Sequence, residues 1–183
     1  MYEFEYQRPD SVAKAVGAGG GEARYLAGGQ SLVQSMKLRL SSASTLVDLG
    51  GIDGLHGISR EGSSVKIGAM TRHSEVARSA EVRAAIPALA DLAGGIGDQM
   101  VRNMGTIGGS IANSDPAADY PAGVLGLGAS IQTDRRSIAA DDFFKDLFTT
   151  ALEPGELIVS VSFPVPQRAA YVKFKQPASR FAL

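Results

Sequence analysis

The sequence predicts an α+β chain in two lobes, a small β-α-β lobe with a parallel sheet and a larger lobe of mixed or antiparallel sheet with helices. Short apolar runs alternate with helical patterns up to Leu49, which calls for parallel strands joined by helices. Beyond Gly50-Gly51 the pattern changes to paired strand signals around tight turns, interrupted by a helical stretch. The expected boundaries are residues 1–54 for the first lobe and 55–176 for the second, with 177–183 opening a further segment.

The elements follow in order. Phe4 to Tyr6 reads as a strand, and Pro9-Asp10-Ser11 opens a helix through Val16, capped by Asp10 or Ser11. Ala23 to Ala27 suits a buried strand leading into Gly28-Gly29-Gln30-Ser31. Leu32, Met36 and Leu40, four apart, mark one face of the next helix. Thr45 to Leu49 is the third strand. Leu55 to Ser59 and Ser64 to Gly68 flank a turn at Arg60–Ser63 and predict a hairpin. Ser74 to Arg78 and Glu81 to Ala93 are helical, with Pro87 limiting or dividing the second. Met100 to Ser114 carries a second Gly-Gly segment, read as a loop, and Ala117 to Leu127 is a further helix. Ser130–Thr133 pairs with Ser137–Ala139, and Asp141 to Phe148 holds a short helix. Glu156 to Phe163 is a strand ended by Pro164 and Pro166, and Ala170 to Lys175 is the last strand.

Composition narrows the chemistry. The chain has 183 residues, 44% hydrophobic and 20% charged, the profile of a globular protein. A net charge of −1 offers no basic field for nucleic acid or anionic membrane. No apolar run approaches the roughly 18–20 residues of a membrane span, and the acidic start Met1–Glu5 is unlike a signal peptide, so a cytoplasmic location is expected. With no cysteine there are no disulfides, thiolate metal sites or cysteine-ligated clusters in this chain. The two histidines, His56 and His73, are expected on the surface. No catalytic side chain and no metal ligand set is expected; any redox chemistry needs an organic cofactor.

The two Gly-Gly segments carry that cofactor reading. They are Ala27-Gly28-Gly29-Gln30-Ser31-Leu32 and Thr106-Ile107-Gly108-Gly109-Ser110, the latter followed by Asp115-Pro116-Ala117-Ala118-Asp119. A Gly-Gly step can adopt positive φ and turn its N–H groups into one concavity, and two such concavities match the two phosphates of a pyrophosphate. The strand–GGQS–helix order adds the N–H groups of a helix start. The G-x-G-x-x-G fingerprint is absent, so a dinucleotide site here is of another kind.

With their flanks, these segments resemble the FAD-binding medium subunits of molybdenum hydroxylases. Tyr25–Leu32 with Met36–Leu40 resembles the first flavin motif, and Arg102–Asn113 with Asp115–Asp119 the second. Glu153-Pro154-Gly155-Glu156-Leu157-Ile158 and Tyr171-Val172-Lys173-Phe174 match later landmarks. The resemblance implies a two-lobed fold of the vanillyl-alcohol-oxidase type with non-covalent FAD between the lobes. It implies phosphate contacts at Ala27, Gly28, Gly29, Gln30, Ser31 and Leu32, and again at Thr106, Ile107, Gly108, Gly109 and Ser110. It further implies an acidic contact at Asp119 and neighbours of the cofactor at Ile96, Leu157, Ile158 and Lys173, with Lys175 a rival to Lys173. For Asp119 the alternative is a carboxylate favoured by a helix start.

Gln30 stands where many such subunits carry His, and Arg180-Phe181-Ala182 where they often have Asp before the pair. The resemblance also implies a third, C-terminal domain, of which 177–183 would be the start. Its functional implication is an electron-transfer subunit beside a large molybdopterin-binding subunit and a small subunit with two [2Fe–2S] clusters. The alternatives are a stand-alone flavoprotein oxidoreductase of the same fold and a non-catalytic nucleotide-binding or assembly module.

Overall fold

In the computed structural model, which describes residues 1–182, the first lobe is built from β1 (Glu5–Gln7), α1 (Val12–Ala18), β2 (Arg24–Leu26), α2 (Leu32–Lys37) and β3 (Thr45–Asp48). The strands lie parallel in the order β1-β3-β2. Ser11 is the cap of α1, its hydroxyl accepting from the Lys14 N–H. The expected apolar face of α2 is only partly realised. The helix ends at Lys37 and Arg39 takes a left-handed φ of 60°, so Met36 is buried while Leu40 is 78% exposed.

The second lobe begins with the hairpin β4 (Ile58–Glu61) and β5 (Ser64–Gly68). A helical layer follows: α3 (His73–Arg78), α4 (Ala80–Ala85), α5 (Pro87–Gly94), α6 (Gln99–Met104), α7 (Ile107–Asn113) and α8 (Asp119–Gly126). Pro87 stands at the first position of α5, where its missing N–H costs nothing, and so divides the expected long helix. The chain then forms β6 (Ser130–Thr133), β7 (Ser137–Ala139), α9 (Ala140–Phe143), β8 (Phe144–Asp146), β9 (Thr149–Thr150) and β10 (Ile158–Pro164). The main sheet runs β4-β5-β10-β6-β7, and every pairing in it is antiparallel.

Three local expectations differ from the structure. Met100–Ser114 is two short helices rather than a loop. The helix expected over Asp141–Phe148 ends at Phe143, and Phe144 enters the β8–β9 hairpin. Ala170–Lys175 joins no ladder; its one β-contact is an isolated bridge from Lys175 to Ala182. Side-chain anchoring, described below, replaces strand pairing there. Of the segment 177–183, Leu183 lies outside the described residues.

Two cores set the position of the cleft. The main sheet contributes Val65, Ile67, Ile131, Val161 and Phe163 to a core closed by Leu89, Leu92, Ile107, Ile111 and Val124 of the helical layer. A smaller core joins Ala15 and Val47 of the first lobe to Leu55, Met70 and Leu157 of the second. That shared core fixes one lobe on the other, and a cleft opens beside it.

Candidate functional site: a cleft between two glycine loops

The cleft has a volume of about 1130 Å³ and is lined by both Gly-Gly segments. Its size suits a whole small-molecule cofactor, since ligand pockets run to about 300–1,000 Å³. The β2–α2 loop supplies one wall. Gly29 holds φ at 71°, the left-handed region that favours glycine. Gly28 serves close approach: a Cβ there would collide with the Met104 carbonyl and come within 2.8 Å of the Gly105 Cα. The first loop thus lies directly on the α6–α7 connection. Among the described residues, no carbonyl or side chain accepts from the N–H groups of Gly28, Gly29, Gln30, Ser31 or Leu32. Consecutive free donors at a cleft wall suit an anion such as a phosphate.

The second segment is built differently from its expectation. Gly108 and Gly109 lie in the first turn of α7, without positive φ. Their donors are engaged by protein: Ile107 N–H donates to Thr71 O (3.1 Å), Gly108 N–H to Ala69 O (2.8 Å) and Gly109 N–H to the Thr106 hydroxyl (3.2 Å). Thr106, Gly108, Gly109 and Ser110 still face the cleft. Ile107 does not: it is fully buried in the main core, because the start of α7 must anchor on the sheet to bring its neighbours to the cleft.

Ile96, Leu157 and Ile158, expected near a cofactor, line the cleft. Asp119 also borders it, but its carboxylate is already committed. Tyr171 Oη donates to Oδ1 at 2.6 Å and Lys173 Nζ to Oδ2 at 2.8 Å. Lys173 Nζ also donates to Gly95 O at 3.2 Å. Lys173 therefore lies outside the cleft lining, in an ion pair whose side chains are 5% and 4% exposed. Burial, reinforced by the Asp119 carboxylate, pushes the Tyr171 phenol above its usual range. This cluster pins the stretch from which Ala178, Ser179, Arg180 and Phe181 reach the cleft mouth.

The opposite rim, Glu153–Glu156, is held by a charged network. Arg136 donates to both Glu156 oxygens, at 3.0 and 2.9 Å, and the Thr133 hydroxyl and Glu153 N–H donate as well. Chiefly through Arg136, these bonds hold the Glu156 carboxyl down at about 2. Tyr25 of β2 donates its hydroxyl to Gly155 O at 2.8 Å, a direct tie from the first lobe to this rim.

His73 is the residue that sequence reasoning misplaced. His56 is exposed, but His73 is 5% exposed and lines the cleft. It starts α3 with its N–H bonded to Gly105 O, and its ring lies under Gly105 and 5.3 Å from the Tyr120 ring. Burial, with Arg102 nearby, lowers its pKa to about 4, so the ring is neutral near pH 7. The available signal was its place five residues after the end of β5, at the first turn of a helix. A histidine with a depressed folded pKa gives stability that is complete above the unfolded value of 6.5 and is lost as pH falls towards 4. His73→Phe should therefore lower the pH dependence of the melting temperature across that window. Identical pH profiles for wild type and variant would contradict a buried, neutral His73.

Comparison with known proteins agrees with this geometry. Residues 2–166 match the family model for the FAD binding domain in molybdopterin dehydrogenase. The carbon monoxide dehydrogenase medium chain of Afipia carboxidovorans is 41% identical, over 98% of this chain and 66% of its own. The glyceraldehyde dehydrogenase medium chain of Sulfolobus acidocaldarius is 38% identical, over 99% of this chain and 67% of its own. Among solved structures, reconstituted CO dehydrogenase from Oligotropha carboxidovorans superposes with a TM-score of 0.95 at 41% identity, covering 99% of this chain and 67% of that one. The chain thus spans about two thirds of the length of these relatives. Sequence, fold and cleft together place it in the family of FAD-binding domains of molybdopterin dehydrogenases.

Proposed function

We propose that this chain binds FAD non-covalently in the cleft and serves as the flavin-bearing, electron-transfer part of a molybdenum hydroxylase. The free N–H groups of Gly28–Leu32 are the observation that carries the reading. They would hold one phosphate, with Ala27, Thr106, Gly108, Gly109 and Ser110 around the pyrophosphate. Ile96, Leu157 and Ile158 would supply the apolar walls, and Asp119 would border the cofactor while holding the 171–173 stretch in place. Ile107 and Lys173 are assigned supporting roles behind the wall.

Bound FAD would supply the chemistry, taking up electrons from iron–sulfur centres and passing them to an external acceptor. This chain's residues orient the cofactor and exclude water from part of it. The partners would be a large molybdopterin-binding subunit and a small [2Fe–2S] subunit, in the cytoplasm. That division of labour accounts for a redox protein without cysteine. Among the described residues no helix is long and apolar enough to cross a membrane. Two lobes, 1–54 and 55–176, with 177–183 leading into a further domain, is the organisation we assign.

Purified protein should be yellow, and denaturation should release its flavin as free FAD. Flavin that stays with the polypeptide would contradict non-covalent binding. A protein that takes up no FAD on titration would contradict the cofactor assignment itself.

A further inference from the structure

Beside the large cleft lies a second recess of about 390 Å³. Gly94, Gly95 and Gly97 line it, and so do the cationic residues Arg102, Lys175 and Arg180. None of its lining residues is acidic, a local excess of cations in a chain whose net charge is −1. Part of the positive charge around it has an evident structural use. Carbonyls just beyond α5 accept from cations, Gly95 O from Lys173 and the Ile96 and Gly97 carbonyls from the Arg102 guanidinium at 2.9 and 3.1 Å. The remaining two cations have no such use. Among the described residues no Asp or Glu side chain forms an ion pair with Lys175 or Arg180.

Backbone bonds fix the turn that carries these two residues. Gln176 N–H donates to Phe181 O and Arg180 N–H to Gln176 O, while Lys175 and Ala182 form a β-bridge. Arg180 is kept at φ 64°, a conformation that non-glycine residues adopt only when their surroundings enforce it. Ala182 N–H, bonded to Ala117 O, ties the end of this turn to the approach to α8. The result is a preformed cationic recess. It shares Gly97 and Arg180 with the large cleft, so a group held there borders whatever occupies that cleft.

We infer that this recess binds the phosphate group of a second, diffusible small molecule next to the cofactor, an inference that rests on the large cleft being the flavin site. Phosphate fits better than a singly charged group because two arginine guanidinium groups and a lysine ammonium belong to residues that line one recess. The three glycines of the lining add no side chain to the space.

The test is titration with inorganic phosphate at low ionic strength, followed by ³¹P NMR, on FAD-loaded and flavin-free protein. The flavin absorbance of each sample is read in parallel, so that loss of FAD and loss of phosphate binding are scored separately. Saturable binding is expected in both forms, weakened at least tenfold in Lys175→Gln and in Arg180→Gln. Lys175→Gln should keep normal FAD content, because Lys175 does not line the large cleft. Lys66→Gln, on β5 and lining neither cavity, should bind phosphate like wild type. Binding that appears only in flavin-free protein would identify the cofactor's own phosphates as the occupant and overturn the second-ligand assignment. Absence of saturable binding, or unchanged affinity in both recess variants, would overturn the site.

Discussion

Gly28→Val is expected to abolish FAD binding in a protein that still folds. A side chain at Gly28 meets main chain, the Met104 carbonyl and the Gly105 Cα, and neither can swing aside like a side-chain tip. The β2–α2 loop must then lift from the α6–α7 connection, carrying the donors of Gly28–Leu32 with it. Each charge-assisted hydrogen bond lost contributes about 1.5–3 kcal/mol. Losing two weakens binding roughly 100-fold or more, since about 1.4 kcal/mol is tenfold. Gly29→Ala should be milder. Its cost is the left-handed φ of 71°, about 1–2 kcal/mol, with only side-chain atoms, of Val33 and Leu26, near the new Cβ. Gly54→Ala, with nothing within 4 Å of the added Cβ and no positive φ, should bind like wild type. Flavin content per folded chain, with circular dichroism to establish folding, ranks the three. Full flavin content in folded Gly28→Val would remove the β2–α2 loop from the binding site.

The physics of that loop explains what the sequence could show. Gly28-Gly29 between an apolar strand and a helix is a local signal, because both the left-handed φ and the helix start are set by nearby residues. The parallel pairing of the first lobe was legible for the same reason, since short strands alternating with helices call for parallel neighbours, while the order β1-β3-β2 was set by packing that no local pattern reports. Gly108-Gly109 looked like a second copy of the motif, yet its donors bond to Thr71, Ala69 and Thr106. Those acceptors come largely from the β5–α3 connection, remote in sequence, so no local pattern reports them. His73 was misplaced on similar grounds. Its burial arises from Gly105 and Tyr120, which arrive through tertiary packing. Lys173 was matched to the cofactor by motif alone, whereas its partner Asp119 lies 54 residues away.

That long-range pair is where the largest loss of stability is expected. Asp119 and Lys173 are nearly fully buried, and Tyr171 donates to the same carboxylate. Asp119→Ala removes the anion and leaves the Lys173 ammonium buried without its counter-charge, which costs about 3–5 kcal/mol. For a chain of this length about 1 kcal/mol corresponds to roughly 2–4 °C, so the melting temperature should fall by about 6–20 °C. Asp119→Asn keeps acceptors for Tyr171 but not the charge, and should fall between Ala and wild type. The double variant Asp119→Leu with Lys173→Met replaces the pair by apolar groups of similar size, and should recover most of the loss. A carboxylate serving only the α8 start behaves otherwise: Asp119→Ala would cost about 1 kcal/mol or less, and removing Lys173 as well would restore nothing. Flavin content separates the remaining role. Asp119 anchors the stretch that carries Ala178–Phe181 to the cleft mouth. If its effect on FAD is exerted through that anchoring, the stable double variant will bind FAD nearly as wild type does. If Asp119 touches FAD directly, the double variant will be stable and still flavin-poor.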